Sequence, residues 1–171
     1  MDIDTFLRAL EATGLATTLR ENDSLFPWVE SLHVLAITLV VGSISIVDLR
    51  LIGIASLDRV AGRLTSDVLP CTWVAFAIAA ITGALLFASN AISYAHNAYF
   101  QAKFVFIFLA GINMAVFHLG AGRTIAHWGT SPNTTPLPAR IAGAVSLLLW
   151  IGVVAFGRWT GFTIHATPLA S

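Results

Sequence analysis

Charge is what this sequence has least of. Only 11% of its 171 residues are charged and the formal net charge is zero, whereas a soluble domain carries about 25% charged residues. Because 57% of the chain is also hydrophobic, the composition excludes an ordinary soluble domain and indicates an integral membrane protein. Lysine occurs once, as Lys103. Without a basic face, nucleic acid is not an expected partner.

Sulfur-containing residues are also scarce. The single cysteine, Cys71, excludes an internal disulfide and a cysteine-rich metal cluster. The only methionines are Met1 and Met114, so a relay of soft Cu(I) ligands is poorly supplied. The first 24 residues hold several acidic side chains and lack the basic start and apolar stretch of a cleavable signal peptide, so we expect none.

Long apolar segments dominate the rest of the chain. Each is close to the roughly 20 residues that a helix needs to cross a hydrocarbon core of about 30 Å. They predict an all-α membrane four-helix bundle over residues 25–165, followed by a tail at 166–171. Ser24 is expected to cap the first helix, and Pro70 is expected in the first turn of the second helix. The predicted spans are about 25–47, 70–90, 102–122 and 139–160.

The segment before the first span has a helical pattern of its own. Ile3, Phe6, Leu7 and Leu10 recur at the spacing of one helix face. We therefore interpret residues 1–24 as an interfacial segment with a short amphipathic helix at the membrane surface. A mobile tail is the alternative interpretation.

The connections between the spans suggest an orientation. Four spans place both termini on one side, and the loops on the opposite side hold five arginines against four basic residues on the terminal side. The loop predicted over residues 48–69 is the most charged, and residues 91–101 are predicted to form a short aromatic turn. Because cytoplasmic loops are enriched in Lys and Arg, we expect a multi-pass protein of the bacterial inner membrane with periplasmic termini.

Ionisable residues inside the first span are the best indication of function. Glu30 precedes His33 by one helical turn, and Asp48 lies in phase with Glu30 five turns further on. An ionisable group in hydrocarbon costs about 2.5–3.5 kcal/mol on insertion scales, so such residues usually face protein or a cofactor. This face of the first helix is therefore expected to point inwards.

The third span carries a second intramembrane histidine. His118 shares one side of its helix with Gly111, Met114 and Ala115, and Asn113 lies in the same span. Small residues beside a histidine let a bulky group approach the backbone. The same small residues are also typical of a close contact between two helices.

A histidine that faces small residues in a bundle core meets the requirement for axial ligation of haem iron. We therefore expect a b-type haem protein, with one or two haems, that carries electrons within or across the membrane. The expected iron ligands are His33 and His118, with three further candidates, His96, His127 and His165. Glu30 would hold the second ring nitrogen of His33 and so orient it. The other expected cofactor-binding residues are Gly111 and Met114 beside His118, and Arg50, Arg123 and Arg158 as contacts to propionates or headgroups.

The depths of the two main histidines bear on the number of sites. The helical rise places His33 about 12 Å and His118 about 22 Å from the side on which the first span begins. A difference of about 10 Å favours two stacked sites over one shared haem, although a tilted first helix would reduce it.

Other functions are also compatible with these residues. Imidazole suits copper as well as haem iron, so a protein with haem plus copper stays open. A small transporter or proton-conducting protein would use Glu30, His33, Asp48 and Asn113 as a relay, and a scaffold without a cofactor is a third reading. No substrate turnover follows from the sequence. The expected partners are membrane lipid, a quinone or redox protein, and a second copy of the chain.

The placement of the motifs resembles a known family. The motifs are Trp28-x-Glu30-x-x-His33, Val47-Asp48-Leu49-Arg50-Leu51, Lys103 at the start of the third helix, Asn113-x-x-x-Phe117-His118 and Gly157-Arg158-Trp159. Over about residues 25–165 the chain resembles a family of small bacterial four-helix membrane proteins known mainly as uncharacterised. The resemblance implies a four-helix fold in a bacterial inner membrane and carries no enzymatic assignment. A more distant similarity to transmembrane b-type cytochromes rests only on histidines in a four-helix core and is an analogy.

Overall fold

The computed structural model describes residues 2–55, 60–128 and 135–164, and this part of the chain is helical without a strand. Four helices are long and apolar enough to cross a membrane: α3 (Leu25–Ile52), α4 (Ala61–Ser89), α6 (Ala98–Leu119) and α7 (Leu137–Ile164). The shorter elements are α1 (Ile3–Glu11), α2 (Gly14–Glu21), α5 (Ala91–Ala95) and a 3-10 helix (Ala121–His127). The predicted all-α, four-span fold is confirmed.

The long helices pack as neighbours in the order α4, α3, α7, α6. Helix α3 contacts both α4 and α7, and α6 packs mainly on α7. We call the end that holds the starts of α3 and α6 the terminal end, and the opposite end the loop end. The ends of α4 and α7 also lie at the terminal end, so each long helix runs opposite to the one before it.

Helix boundaries differ from the predicted ones at both sides of the first loop. Helix α3 continues through the charged residues to Ile52 and ends where Gly53 adopts a φ of 93°, a conformation that glycine tolerates best. Helix α4 already begins at Ala61, so most of the predicted 48–69 loop is helix. Pro70 therefore lies inside α4, which membrane helices tolerate because neighbouring groups satisfy the freed backbone.

Two smaller predictions also need correction. The side chain of Ser24 makes no capping hydrogen bond. Instead, Asn22 Oδ1 accepts hydrogen bonds from the backbone N–H groups of Ser24 and Leu25, each at 3.0 Å. The region predicted as an aromatic turn contains the short helix α5, because the chain between Ala91 and Ala95 completes a helical turn before α6 begins.

Helices α1 and α2 pack on the terminal end of the bundle. Glu11 Oε1 accepts a hydrogen bond from the Ile92 backbone N–H at 2.9 Å, and the Arg20 guanidinium donates to the Ser89 carbonyl at 3.3 Å. Leu7, on the face predicted to be apolar, is buried. These contacts hold the segment against the bundle and favour the helical interpretation over a mobile tail.

Glycines in α7 allow close approach of both neighbouring helices. A Cβ atom added at Gly143 would lie 3.0 Å from the Asp48 carbonyl oxygen of α3. One added at Gly152 would clash with the ring of Phe106 on α6. Helix α7 thus holds α3 and α6 close to its own backbone.

Candidate functional site

His33 lies between α3 and α4 near the terminal end. Its Nδ1 atom is 2.9 Å from Thr82 Oγ1. The Thr82 hydroxyl lies 2.7 Å from the Ile78 carbonyl and can donate to it, which is compatible with a His33 tautomer that donates from Nδ1 to Thr82 Oγ1. A neutral imidazole protonated on Nδ1 carries its lone pair on Nε2. Metal-ligating histidines have this arrangement, with the non-ligating N–H donated to a protein oxygen.

A glycine makes room for the His33 ring on α4. A Cβ atom added at Gly83 would lie 2.9 Å from His33 Cε1 and 3.5 Å from Nδ1. Separations under about 3.5 Å between carbon atoms are repulsive. The ring could therefore not occupy this position beside a larger residue, and Thr82 and Gly83 together fix it.

Lys103 approaches the same region from α6. Its side chain is partly buried and runs along Gly157 of α7, where an added Cβ atom would lie 3.7 Å from Nζ. An amine and an imidazole from different helices thus lie towards the terminal end, near enough for the Lys103 charge to act on the His33 imidazole. Sequence reasoning assigned Lys103 no role, although a single lysine inside a predicted span was the signal that pointed to it.

An aromatic groove adjoins this region. Phe87 follows Gly83 by one turn of α4, and its ring stacks on that of Phe100 of α6 with the centroids 5.5 Å apart. The groove has a volume of about 400 Å³, within the usual range of about 300–1,000 Å³ for ligand sites. Its lining residues are Phe87, Ala95, Phe100, Gln101 and Phe104. His33, Thr82 and Lys103 do not line the groove themselves. We call these three residues together with the groove the terminal site.

Glu30 does not take the orienting role that the sequence suggests. It is exposed, and the hydrogen-bond partner of His33 Nδ1 is Thr82. The reason is that the His33 ring turns towards Thr82 and Gly83 of α4, whereas the Glu30 carboxylate acts on Tyr94 of α5. There, burial raises the pKa of the Tyr94 phenol, and the nearby Glu30 carboxylate raises this pKa further. Tyr94 therefore stays a neutral hydrogen-bond donor.

His118 lies at the other end of the molecule and faces outwards. It is exposed, and its Nδ1 atom donates to the Met114 carbonyl of its own helix at 2.9 Å. Gly111 on the same side has open space around it, and Met114 is exposed. Counting from the helix starts, His33 and His118 differ by about 18 Å along the bundle axis. One haem within a single chain therefore cannot bind both, as the depth comparison from the sequence expects.

The buried charges lie at the loop end. Asp48 is 6% exposed, and its side chain is hydrogen-bonded to Ser146, while among the described residues its Oδ2 atom has no hydrogen-bond partner. Arg50 is fully buried and donates to Thr135 Oγ1 at 3.5 Å. Because α3 continues past Arg50, its guanidinium lies within the protein, and its contact with propionates or headgroups stays a prediction.

The remaining candidate residues are dispersed. Arg123 is exposed at the loop end, and Arg158 is exposed at the terminal end, 5.0 Å from the centre of the Phe162 ring. His96 is exposed and pairs with Asp4, with 3.1 Å between Nε2 and Oδ1. His165 and the side chain of His127 lie outside the described residues. In the described part of the chain, no group of three or more His, Cys, Asp or Glu residues is placed to hold a metal ion.

Comparisons with known proteins identify a family but not an activity. Residues 24–163 match DUF6644, a family of unknown function. No curated protein and no solved structure matches the chain. The family match includes His33, Thr82 and Lys103 and covers more than half of the chain. The protein therefore belongs to this family of unknown function and is, by its four long apolar helices, a multi-pass membrane protein.

Proposed function

We propose that the protein binds one b-type haem at the terminal site, with Nε2 of His33 as an axial ligand, and carries electrons within or across the membrane. The observation that supports this most is the pair of hydrogen bonds through Thr82. They are compatible with an imidazole that donates from Nδ1 and keeps the lone pair of Nε2 for a ligand.

The set of donor atoms favours haem over a bare metal ion. A bare ion such as copper needs several protein ligands, and the described residues contain no such group. A haem brings the four ring nitrogens of its macrocycle and needs only one or two axial ligands from the protein. A single well-oriented histidine beside an aromatic groove fits that requirement.

The surroundings of His33 also suit a flat, largely apolar molecule with acidic groups. Phe87, Phe100 and Phe104 offer aromatic surface in the adjoining groove. Lys103 and the exposed Arg158 supply positive charge at the same end of the bundle, where propionates would reach the aqueous phase. Bound haem would supply reversible one-electron redox chemistry, and the protein would hold it and exclude water.

The test compares two histidine variants of the same terminal end. Wild-type protein, His33→Ala and His96→Ala are expressed with haem supplementation and purified in detergent, and the ratio of haem to protein is measured. We expect haem in the wild type and in His96→Ala, because His96 is an exposed residue paired with Asp4, and its loss from His33→Ala. Equal haem content in the two variants would contradict the proposed ligand, and a colourless wild type would contradict the function.

Proton conduction is the second candidate, because polar groups recur along α3. Beyond the His33–Thr82 pair, the hydroxyl of Thr72 donates to Ser43 Oγ at 2.8 Å, and Asp48 follows near the loop end. However, His33 and Ser43 are separated by about 15 Å along the helix, which no direct hydrogen bond spans. Proton flux into proteoliposomes containing a pH-sensitive dye tests this candidate. Flux that is lost in Asp48→Asn would favour it over electron transfer.

A further inference from the structure

We propose that Asp48 is a proton-binding site at the loop end, with its carboxyl group held as the neutral acid between α3 and α7. The site is separate from the terminal site, because Asp48 lies about 22 Å from His33 along the axis of α3. Proton binding here therefore does not depend on haem. Three observations support it: the burial of the carboxyl group, the nature of its partner and its distance from water at the loop end.

The first observation is the burial of the carboxyl group. Asp48 is 6% exposed, and α7 approaches so closely that a Cβ atom added at Gly143 would lie 3.5 Å from the Asp48 Cα atom. Within the described residues, the Oδ2 atom of Asp48 is buried and has no hydrogen-bond partner. An ionised carboxylate in this position would lose its hydration without compensation, so the neutral acid is the favoured form.

The second observation is that the partner of the carboxyl group is a hydroxyl. The side chain of Asp48 is hydrogen-bonded to Ser146 of α7. A hydroxyl can accept a hydrogen bond from a carboxylic acid as readily as it donates one to a carboxylate, so it suits the neutral form. A buried carboxylate that stays ionised usually has a cation as its partner, and Ser146 does not supply one.

Charged and titratable side chains elsewhere at the described loop end do not supply that cation. They are Arg50 of α3, Arg63 and Asp67 of α4, His118 of α6, Arg123 of the 3-10 helix and Arg140 of α7. All but Arg50 and Arg140 are exposed. Between described residues the only ion pair is that of His96 with Asp4, so neither arginine forms an ion pair with Asp48.

The third observation is the depth of Asp48 in the bundle. Helix α3 ends at Ile52, and Asp48 lies about 6 Å before that end along the helix axis. The start of the same helix at Leu25 is roughly 35 Å away from Asp48. Proton exchange with water at the loop end therefore needs only a short local opening of the structure, whereas exchange with the terminal end would need a path along most of the bundle.

A proton fits this site better than a metal cation does. Hard cations such as Ca²⁺ take about six to eight oxygen ligands. In the described part of the chain, no group of three or more His, Cys, Asp or Glu residues is placed to hold such an ion. A proton needs one oxygen atom. Its binding forms one O–H bond on the carboxylate, water at the loop end supplies the proton, and nothing is oxidised or reduced.

Labelling with a hydrophobic carbodiimide tests the protonation state in the wild-type protein. Dicyclohexylcarbodiimide takes the proton of a carboxylic acid and adds the carboxylate at its central carbon, so ionised carboxylates react slowly. Asp67 is the internal control, because it is exposed at the same end, and a solvated aspartic acid is protonated in only about one molecule per thousand at pH 7. Peptide mass spectrometry should find Asp48 labelled at least about tenfold faster than Asp67 at that pH.

Two results of the labelling would overturn the inference. One is a rate at Asp48 no higher than that at Asp67, which would show that Asp48 is ionised. The other is protection of Asp48 by added Na⁺ or Ca²⁺ at constant ionic strength, which would assign the site to a metal cation. Because no substitution is involved, the experiment gives an answer even where a variant does not fold.

Infrared spectra of the detergent-purified proteins observe the bound proton directly. Asp48→Asn replaces the acid with a neutral side chain of the same shape, and Asp67→Asn is the matched control. Near neutral pH, the wild type and Asp67→Asn should show the carbonyl stretching band of a protonated carboxylic acid, and Asp48→Asn should lack it. In D₂O the band should move to lower frequency, because the proton exchanges with water. An unshifted band, or an equal band in Asp48→Asn, would overturn the proton-binding site.

Discussion

Gly83→Ala adds a single methyl group to the terminal site and substitutes none of the proposed ligand residues. The added Cβ atom would lie 2.9 Å from His33 Cε1, whereas carbon atoms pack at about 3.5–4.0 Å, so the ring must move by about 0.6 Å or more. The hydrogen bond from Nδ1 to Thr82 is 2.9 Å long. A displacement of that size would bring it close to about 3.5 Å, where little hydrogen bonding remains.

The size of the effect follows from that hydrogen bond. A net contribution of about 0.5–1.5 kcal/mol per hydrogen bond corresponds to a factor of roughly 2 to 13 in affinity. Loss of a group that orients a ligating histidine typically costs about 10–100-fold in metal affinity. We therefore expect Gly83→Ala to bind haem about tenfold more weakly. Helix stability should not fall, because alanine favours a helix interior over glycine by about 0.5–1 kcal/mol.

The assay is a titration of detergent-purified apoprotein with haemin, followed by absorbance. Gly42→Ala is the matched control, because it introduces the same methyl group into a long helix at a position with nothing within 4 Å. Gly42→Ala should bind haemin as the wild type does. Equal affinities of Gly83→Ala and Gly42→Ala would refute the reasoning that Thr82 holds His33 in a ligating orientation.

Three further substitutions test other parts of the account. Thr82→Val keeps the shape but removes the hydrogen-bond partner of His33 Nδ1, so haem affinity should fall about 10–100-fold. Thr82→Ser should retain the affinity, and equal titrations of the two variants would contradict this role of Thr82. Gly152→Leu places a side chain against Phe106. The resulting overpacking costs about 1–3 kcal/mol and should lower the melting temperature in detergent. An unchanged melting temperature would argue against this contact between α6 and α7. Asp48→Asn replaces a buried carboxyl group whose Oδ2 atom lacks a hydrogen-bond partner among the described residues. The melting temperature should therefore be unchanged or higher. A clear decrease would show that the carboxylate has a stabilising partner.

The sequence predicts the number and approximate position of the long helices because the bilayer demands them. A helix must be about 20 residues long and apolar to cross it, and the four segments that satisfy this are α3, α4, α6 and α7. The inward position of His33 also follows from the cost of an ionisable group in lipid. These are constraints on single helices, which is why a single sequence reveals them.

Contacts between helices are a different matter. Thr82, Gly83 and Lys103 complete the site from α4 and α6, and helical periodicity on α3 cannot indicate which neighbour His33 meets. The sequence could not predict which way His118 faces either. Lipid and the protein interior both favour apolar residues, and α6 is apolar on all sides, so its pattern does not distinguish an inward from an outward face. The charges of Asp48 and Arg50 suggested a loop. In the structure both residues belong to α3 and are buried, and Arg50 is hydrogen-bonded to Thr135.

The visible difference spectrum of the purified wild-type protein, dithionite-reduced minus oxidised, tests the central claim most directly. The protein is purified in detergent from cells supplied with a haem precursor, and haem is quantified on the same sample as the pyridine haemochrome. The account predicts the bands of a b-type haem and one haem per chain. A protein that is folded but shows no haem bands, even after addition of haemin to the purified apoprotein, would contradict it.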